Sequence, residues 1–441
     1  MKILLVKPYL PYPYSSREYI HNRIWPPLCL ANCAALLERE GHQVKILDAC
    51  LERVKPDKIG RHLKGYDRVF VTTSSLDRWQ CPNTDTSIIF DSIRHIKNVT
   101  DEVYVMGYHG TINPEYVLGH TKAKAVIRGE PENTVLEICR SKDLSGIKGI
   151  SFADNGGFIS NPDREPLDLK SLPVPAYHLL DLKRYFYEVL GSNFLLFELG
   201  RGCKYSCKFC NKVMYGEGVR CKSEAQIIKE VSTAVEKYNV KTAYFIDLDF
   251  LTNPEIAEKL CEYLIKKKYG LKWTCQARPD HLNPEILSKM KRAGCRLIHL
   301  GIEAGSQKDL DYLSKNMAIE DIENAVKLCK KAGLKTLGFY IFGLPGEDDQ
   351  SREKTFNFTK KLNTDFVSFH KVFLYEGSSI HGEDSVSDGK ADKFMRKGLA
   401  RYYLRPSYLY RLDLFTILGG FRLWWSRVRG LFLGFYPCTM K

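Results

Sequence analysis

The densest group of reactive side chains in the chain is Gly202-Cys203-Lys204-Tyr205-Ser206-Cys207-Lys208-Phe209-Cys210, where three thiols are spaced C-x3-C-x2-C. A structural zinc ion takes four protein ligands, and the next candidate, Cys221, lies eleven residues further on. Three thiolates suit a 4Fe-4S cluster that keeps one iron open, because soft sulfur ligands favour iron-sulfur chemistry. Zinc and inert thiols stay open as alternatives at this point. Further along come Asp247 and Asp249 in Tyr244-Phe245-Ile246-Asp247-Leu248-Asp249-Phe250, Arg278 in Gln276-Ala277-Arg278-Pro279-Asp280, Glu303 in Leu300-Gly301-Ile302-Glu303-Ala304-Gly305-Ser306, and the turn Gly343-Leu344-Pro345-Gly346. Singly, each has an ordinary reading: the aspartates cap a helix, Glu303 satisfies a buried donor, and the glycines make a turn. Their order behind the cysteine loop, each at the end of an apolar run, favours one shared ligand site. No side chain is singled out as catalytic.

Two series of elements would have to position these groups, and the pattern is α/β throughout. The first alternates β-branched runs (Ile3 to Val6, Val44 to Leu47, Val69 to Thr72, Val103 to Met106, Ala125 to Ile127) with helix-period segments such as Leu28 to Leu37 and Ser87 to Ile96. Five such units predict a doubly wound, Rossmann-like domain over residues 1–145, with its ligand at the C-terminal ends of the strands. Residues 146–190 gather Gly156, Gly157, Pro162, Pro166, Pro173 and Pro175 and read as a linker. The second series, Phe194 to Leu199, Thr242 to Leu248, Lys272 to Ala277, Leu297 to Ile302, Thr336 to Phe342 and Phe366 to Phe373, predicts a partial (β/α)6 barrel of TIM type over 191–380. Active groups belong at its strand ends. A helical segment over 381–441 completes the order.

The whole-chain properties narrow the classes. With 441 residues, 44% hydrophobic and 27% charged, the chain is large enough for two or three domains with sizeable cores. The net charge is +14, but nine Lys or Arg stand against Asp413 alone between Lys393 and Arg429, so the excess is local and argues against a nucleic-acid binder. Of the fourteen cysteines, Cys29, Cys33, Cys50, Cys139, Cys261 and Cys329 sit singly in apolar stretches, where a thiol acts as a small hydrophobe. No apolar run reaches membrane-spanning length and the start lacks a signal-peptide pattern, so a cytoplasmic location is expected.

The motif Gly-Cys-x-Tyr-x-Cys-x-Phe-Cys resembles the signature of radical S-adenosylmethionine enzymes, and the resemblance extends from about residue 193 to 377. It implies that Cys203, Cys207 and Cys210 hold the cluster, whose open iron chelates the amino and carboxylate groups of S-adenosylmethionine. One electron then cleaves that ligand to methionine and a 5'-deoxyadenosyl radical. By the same resemblance Asp247, or else Asp249, meets the methionine amino group, Arg278 pairs with the carboxylate, Glu303 accepts from the ribose hydroxyls, and Gly343 lies beside adenine.

The first series resembles the cobalamin-binding domain of one large subfamily, which includes methyltransferases and ring-forming enzymes. Ser74 and Leu76 match its Ser-x-Leu motif and Gly107 its glycine turn, with Ile24-Trp25-Pro26-Pro27 and Arg128-Gly129-Glu130-Pro131-Glu132 at other strand ends. Two departures stand out. The loop Pro8-Tyr9-Leu10-Pro11-Tyr12-Pro13-Tyr14 carries no Asp-x-His-x-x-Gly, which implies that no protein histidine ligates cobalt, His21 and His109 being the only substitutes. Tyr108 replaces a second glycine, where it would crowd or stack beside the nucleotide tail. The combined resemblance implies a cobalamin-dependent radical enzyme that methylates an unactivated carbon of a small or lipid-like substrate, fed by a low-potential donor such as flavodoxin or ferredoxin. Ring formation without net methyl transfer, or a non-catalytic electron-transfer or corrin-carrier protein, are the alternatives.

Phe421, Trp424, Trp425, Val428, Leu431 and Phe432 recur at helical spacing, flanked by Arg422, Arg427 and Arg429. That pattern predicts an amphipathic helix, either peripheral on the inner face of an anionic membrane or docked on its own barrel or a partner chain.

Overall fold

The computed structural model describes residues 1–10, 24–154, 156–383 and 389–409. The predicted aromatic helix at 421–432, His21 and the loop from Pro11 to Tyr14 therefore lie outside the described residues.

The first half is built on strands β1 (Lys2–Lys7), β2 (Gln43–Asp48), β3 (Arg68–Thr72), β4 (Val103–Met106), β5 (Ala125–Ile127), β6 (Ile150–Asp154) and β7 (Gly157–Ser160). They form one sheet in the order β2-β1-β3-β4-β5-β6-β7, with the first five parallel. A parallel sheet covered by helices is buried on both faces, hence the unbroken apolar runs in its sequence. Ile3, Leu5 and Phe70 face one core together with the helix Leu28–Arg39, while Leu4, Val6, Val69 and Val71 face another that includes Ile89 and Ile93 of the helix Ser87–Lys97. The antiparallel β6 and β7 fall in the stretch read as a linker, which instead extends the sheet. Only Ile150, Ser151 and Phe152 of this pair are buried, so their apolar periodicity is weak. Arg128, after β5, fixes the extension by bonding Ile150 O, Ser160 Oγ and Asp163.

Two short hairpins follow, β8 (Phe186–Tyr187) with β9 (Gly191–Ser192), and β11 (Gly200–Gly202) with β12 (Val219–Cys221), the second framing the cysteine loop. The barrel strands are β10 (Phe194–Phe197), β13 (Thr242–Phe245), β14 (Lys272–Ala277), β15 (Cys295–Glu303), β16 (Lys335–Phe342) and β17 (Phe366–Lys371), all parallel and in chain order across the sheet. Three of the helices between them begin at polar caps: Ser223 and Gln226 make a reciprocal capping box, and Asn253 and Asn283 each precede a proline at the first helical position.

One hydrophobic core runs through both halves. The helix Leu28–Arg39 is buried continuously from Leu28 to Leu37 because the first sheet covers one side and the second half the other. Across that contact Ala176 N–H donates to Ala31 O, and Asn32 Nδ2 lies 3.3 Å from Glu198. At the far end the helix Lys390–Tyr403 packs on β17, where Tyr402 is fully buried and donates to Thr364 O at 2.6 Å. No helix among the described residues is long and apolar enough to cross a membrane.

Candidate active site

The cysteine loop leaves the C-terminal end of β10 through Leu199 and Gly200, whose N–H groups both donate to Asp247 at 2.8 to 3.1 Å. Gly202, at φ 91°, passes so close to Gly218 that a Cβ would lie 2.1 Å from its carbonyl oxygen, so no other residue fits. Lys212 Nζ bonds Tyr205 O at 2.5 Å and holds the loop curled. The three thiols are partly exposed and close enough to interact electrostatically, and burial, helped by Cys207 and Cys203, pushes Cys210 up to about 12. Three thiols at this spacing on one loop have the chemistry to hold a cluster at three corners.

Around this loop the structure gathers most of the anticipated side chains. Asp249 accepts from His281 Nδ1 at 2.6 Å, and Tyr205 lies 2.7 Å from His281 Nε2, so the carboxylate fixes the tautomer that receives the tyrosine proton. Arg278 is 5% exposed; its Nε and Nη2 bond both oxygens of Asp280, Nη2 also reaches Lys315 O, and Nη1 points at Cys207 Sγ. Glu303 ends β15 in the left-handed region, at φ 67°, where the register with β16 shifts. Such strain in a non-glycine residue costs about 1–3 kcal/mol and concentrates at functional sites. Its carboxylate meets Lys315 Nζ at 2.9 Å, and a Cβ on Gly301 would strike both groups.

Two anticipated residues stand apart. Asp247 is turned onto the backbone entering the loop, and burial raises it to about 7 despite the Leu199 and Gly200 donors. Gly343, at φ 82°, donates to Glu347 and faces Ala391 of the C-terminal helix.

In the first half, Lys7, Trp25, Thr72 to Ser75, Asp77, Arg78 and Asn83 line a crevice at the ends of β1 and β3, where the strand order reverses. That is where doubly wound sheets bind ligands. Gly107, at φ 109°, is pressed so closely on this crevice that a Cβ would lie 2.9 Å from Ser74 N, Ser74 Oγ and Thr73 Oγ1. Ser74 Oγ accepts from Tyr108 N at 2.8 Å, and Leu76 is buried. The Tyr108 ring neither stays in the crevice nor reaches solvent; its hydroxyl donates to Glu376 O at 2.7 Å, beyond the last barrel strand. His109 Nε2 is bonded to Asn83 O.

The residues that sequence reasoning missed join the two halves. Arg201, two positions before Cys203, is fully buried and bonds Glu130 at 2.8 Å, Glu132 at 2.6 Å and Glu198 at 3.0 Å, with its guanidinium over Trp79 of the β3 loop. Glu130 and Glu132 had read as part of a cofactor loop; here they clamp the cysteine loop to the first half. Cys81 and His370, from opposite halves, are both desolvated and both lie within electrostatic reach of Arg78. Burial, then Arg78, holds His370 at about 4, a neutral imidazole at pH 7. An isolated His at a strand end carries no such signal in sequence.

Residues 197–359 match the Radical SAM superfamily. That segment, which carries the three-cysteine loop, is a radical SAM domain. An uncharacterized methyltransferase of Pyrococcus horikoshii is 29% identical over 94% of this chain and 95% of its own length. The anaerobic magnesium-protoporphyrin IX monomethyl ester cyclase of Rubrivivax gelatinosus is 26% identical over 84% of this chain and 67% of its own. Among solved structures, the radical S-adenosylmethionine methyltransferase TsrM of Kitasatospora setae, with cobalamin and a [4Fe-4S] cluster bound, superposes at a TM-score of 0.67, with 18% identity, over 86% of this chain and 74% of that one. The two-part fold is thus shared with that radical SAM enzyme. With this domain the chain is an enzyme whose cofactors are a 4Fe-4S cluster and S-adenosylmethionine.

Proposed function

We propose that the protein is a cobalamin-dependent radical SAM methyltransferase, with Cys203, Cys207 and Cys210 holding the cluster and the β1/β3 crevice holding the corrin. The observation that carries this reading is the Arg201 junction, which sets the cysteine loop against the loops after β3 and β5 of the first sheet. When bound, the cluster supplies an electron for cleaving S-adenosylmethionine, and the corrin supplies a methyl group. The chain's own residues do the rest. Glu303, held by Lys315, presents a carboxylate suited to a ribose diol. Asp249 and its histidine and tyrosine partners brace the cysteine loop, as Asp247 does from the other flank. Gly107 and Ser74 shape the crevice, and Tyr108 ties it to the barrel's mouth.

The lower corrin face receives no protein histidine in this reading, since His109 is engaged with Asn83. The electron paramagnetic resonance spectrum of bound cob(II)alamin should be unchanged when the protein's histidines are labelled with nitrogen-15; an altered superhyperfine pattern contradicts the absence of a protein histidine. Methyl transfer is tested by incubating the reconstituted, reduced enzyme with cell metabolites and methyl-labelled S-adenosylmethionine. Labelled product, with equal 5'-deoxyadenosine and S-adenosylhomocysteine per turnover, is expected, and an unlabelled product overturns methylation in favour of ring formation or rearrangement. The similarity to a cyclase acting on a tetrapyrrole ester supports searching first among large, lipid-like metabolites.

A further inference from the structure

From outside the loop Arg278 reaches a cysteine sulfur, and its bonding leaves it little freedom. Nε and Nη2 form a fork on Asp280 at 3.0 Å each, Nη2 is shared with Lys315 O at 2.8 Å, and the guanidinium plane lies over the Tyr205 ring with Cζ 3.5 Å from its centroid. Tyr205 is in turn fixed by His281 and Asp249. The nitrogen left over, Nη1, is 3.9 Å from Cys207 Sγ, within reach of a hydrogen bond to sulfur. Lys315, buried and paired with Glu303, adds a second cation on the same side, its Nζ 5.7 Å from the centre of the Phe209 ring. A carboxylate ligand for Arg278 would have to compete with Asp280 for the same fork.

We propose that Arg278 is a positioning residue for the cluster's electronics: it donates to the Cys207 sulfur and raises the reduction potential of the cluster. The inference rests on the reading that Cys203, Cys207 and Cys210 hold the cluster. Hydrogen bonds and positive charge at the ligating sulfurs stabilise the reduced state, which carries one more negative charge. The step is a one-electron reduction of the cluster from its 2+ to its 1+ state; the electron comes from a low-potential donor protein, or from dithionite in a titration, and no bond in the chain is made or broken. Asp280 aims the guanidinium rather than cancelling it, since the fork occupies Nε and Nη2 and leaves Nη1 directed at sulfur.

The test is a potentiometric titration of the anaerobically reconstituted full chain, followed by electron paramagnetic resonance, with no substrate and no cobalamin required. The R278Q variant should assemble the cluster and show a more negative midpoint potential than the wild type, and R278K, which keeps the charge but loses the fork, should fall between them. A wild-type potential in R278Q, or in R278K where R278Q assembles no cluster, overturns the proposal. Failure of both variants to assemble a cluster would make Arg278 a structural residue and overturn it as well. Failure of the wild type to assemble one would instead overturn the underlying assignment of the three cysteines.

Discussion

Glu303 and Asp247 are both strand-end carboxylates, yet their surroundings assign them different work. Glu303 is strained, charge-paired with Lys315 and set beside the glycine that leaves it room, so E303Q should weaken S-adenosylmethionine binding by roughly 10- to 100-fold, the worth of one charge-assisted hydrogen bond. Equilibrium dialysis on the reconstituted protein measures this, and an unchanged Kd refutes the role. Asp247 instead titrates with folding. Its pKa is raised from an ordinary 3.8 to about 7, so it takes up a proton on folding between those values. Its contribution to stability is fully present below about pH 4 and lost as pH rises through about 7, a loss on the order of 4 kcal/mol. D247N keeps an oxygen for the Leu199 and Gly200 donors and should gain Tm relative to wild type between about pH 5 and about pH 8 in ligand-free protein; parallel pH profiles would refute it. The cysteines and Glu303 could be singled out in sequence because their spacing or strand-end position is itself the signal. Arg201, Lys315 and His281 were not, because the partners that define them (Glu130 and Glu132, Glu303, and Asp249 and Tyr205) lie 12 to 76 residues away, and pairing at that range leaves no local pattern.

At the level of elements, every parallel strand of both sheets is visible in sequence, since burial makes most of each an apolar run. What stayed hidden were the edge additions β6 and β7, six of whose nine residues are exposed, and the hairpins β8–β9 and β11–β12, whose strands of two or three residues are too short to carry a period. The Gly107 turn was legible as a motif, and the structure supplies its reason. G107A would force a positive φ on alanine and drive its Cβ onto the Ser74 backbone, at a cost of roughly 2–5 kcal/mol from strain and overpacking. Because the clash falls in the first half, G107A should lose cobalamin binding while retaining iron. Titration with hydroxocobalamin and iron analysis on one preparation check this, and unimpaired corrin uptake would detach the turn from the crevice.

Across the whole molecule, the two halves are joined by buried charge as well as by a common core. Glu130, Glu132, Glu198 and Glu230 are set against Arg201, Arg220 and Lys222. Burial raises Glu198, but Arg201 and Lys222 outweigh it and hold the group at about 2, whereas Glu132 and Glu230 are pushed up. Removing one partner from such a network strands the others, so R201M should lose roughly 3–5 kcal/mol, seen as a lower Tm with parallel loss of iron, and R201K should lose less. An R201M protein with wild-type Tm would show the junction to be dispensable. The C-terminal boundary matters equally: Tyr402 and Tyr408 are buried on the barrel, the latter donating to Asp365 O. A chain ending at Met395 should therefore misfold, whereas one ending at Leu409 should keep its cluster, so only the longer truncation can test membrane attachment of residues beyond it. The central claim, that the three-cysteine loop is the seat of reductive S-adenosylmethionine cleavage, is tested by one assay. Anaerobically reconstituted and reduced wild-type protein, given S-adenosylmethionine, should release 5'-deoxyadenosine, and the Cys203, Cys207 and Cys210 to Ala triple variant should release none; 5'-deoxyadenosine from the triple variant at the wild-type rate would contradict the account.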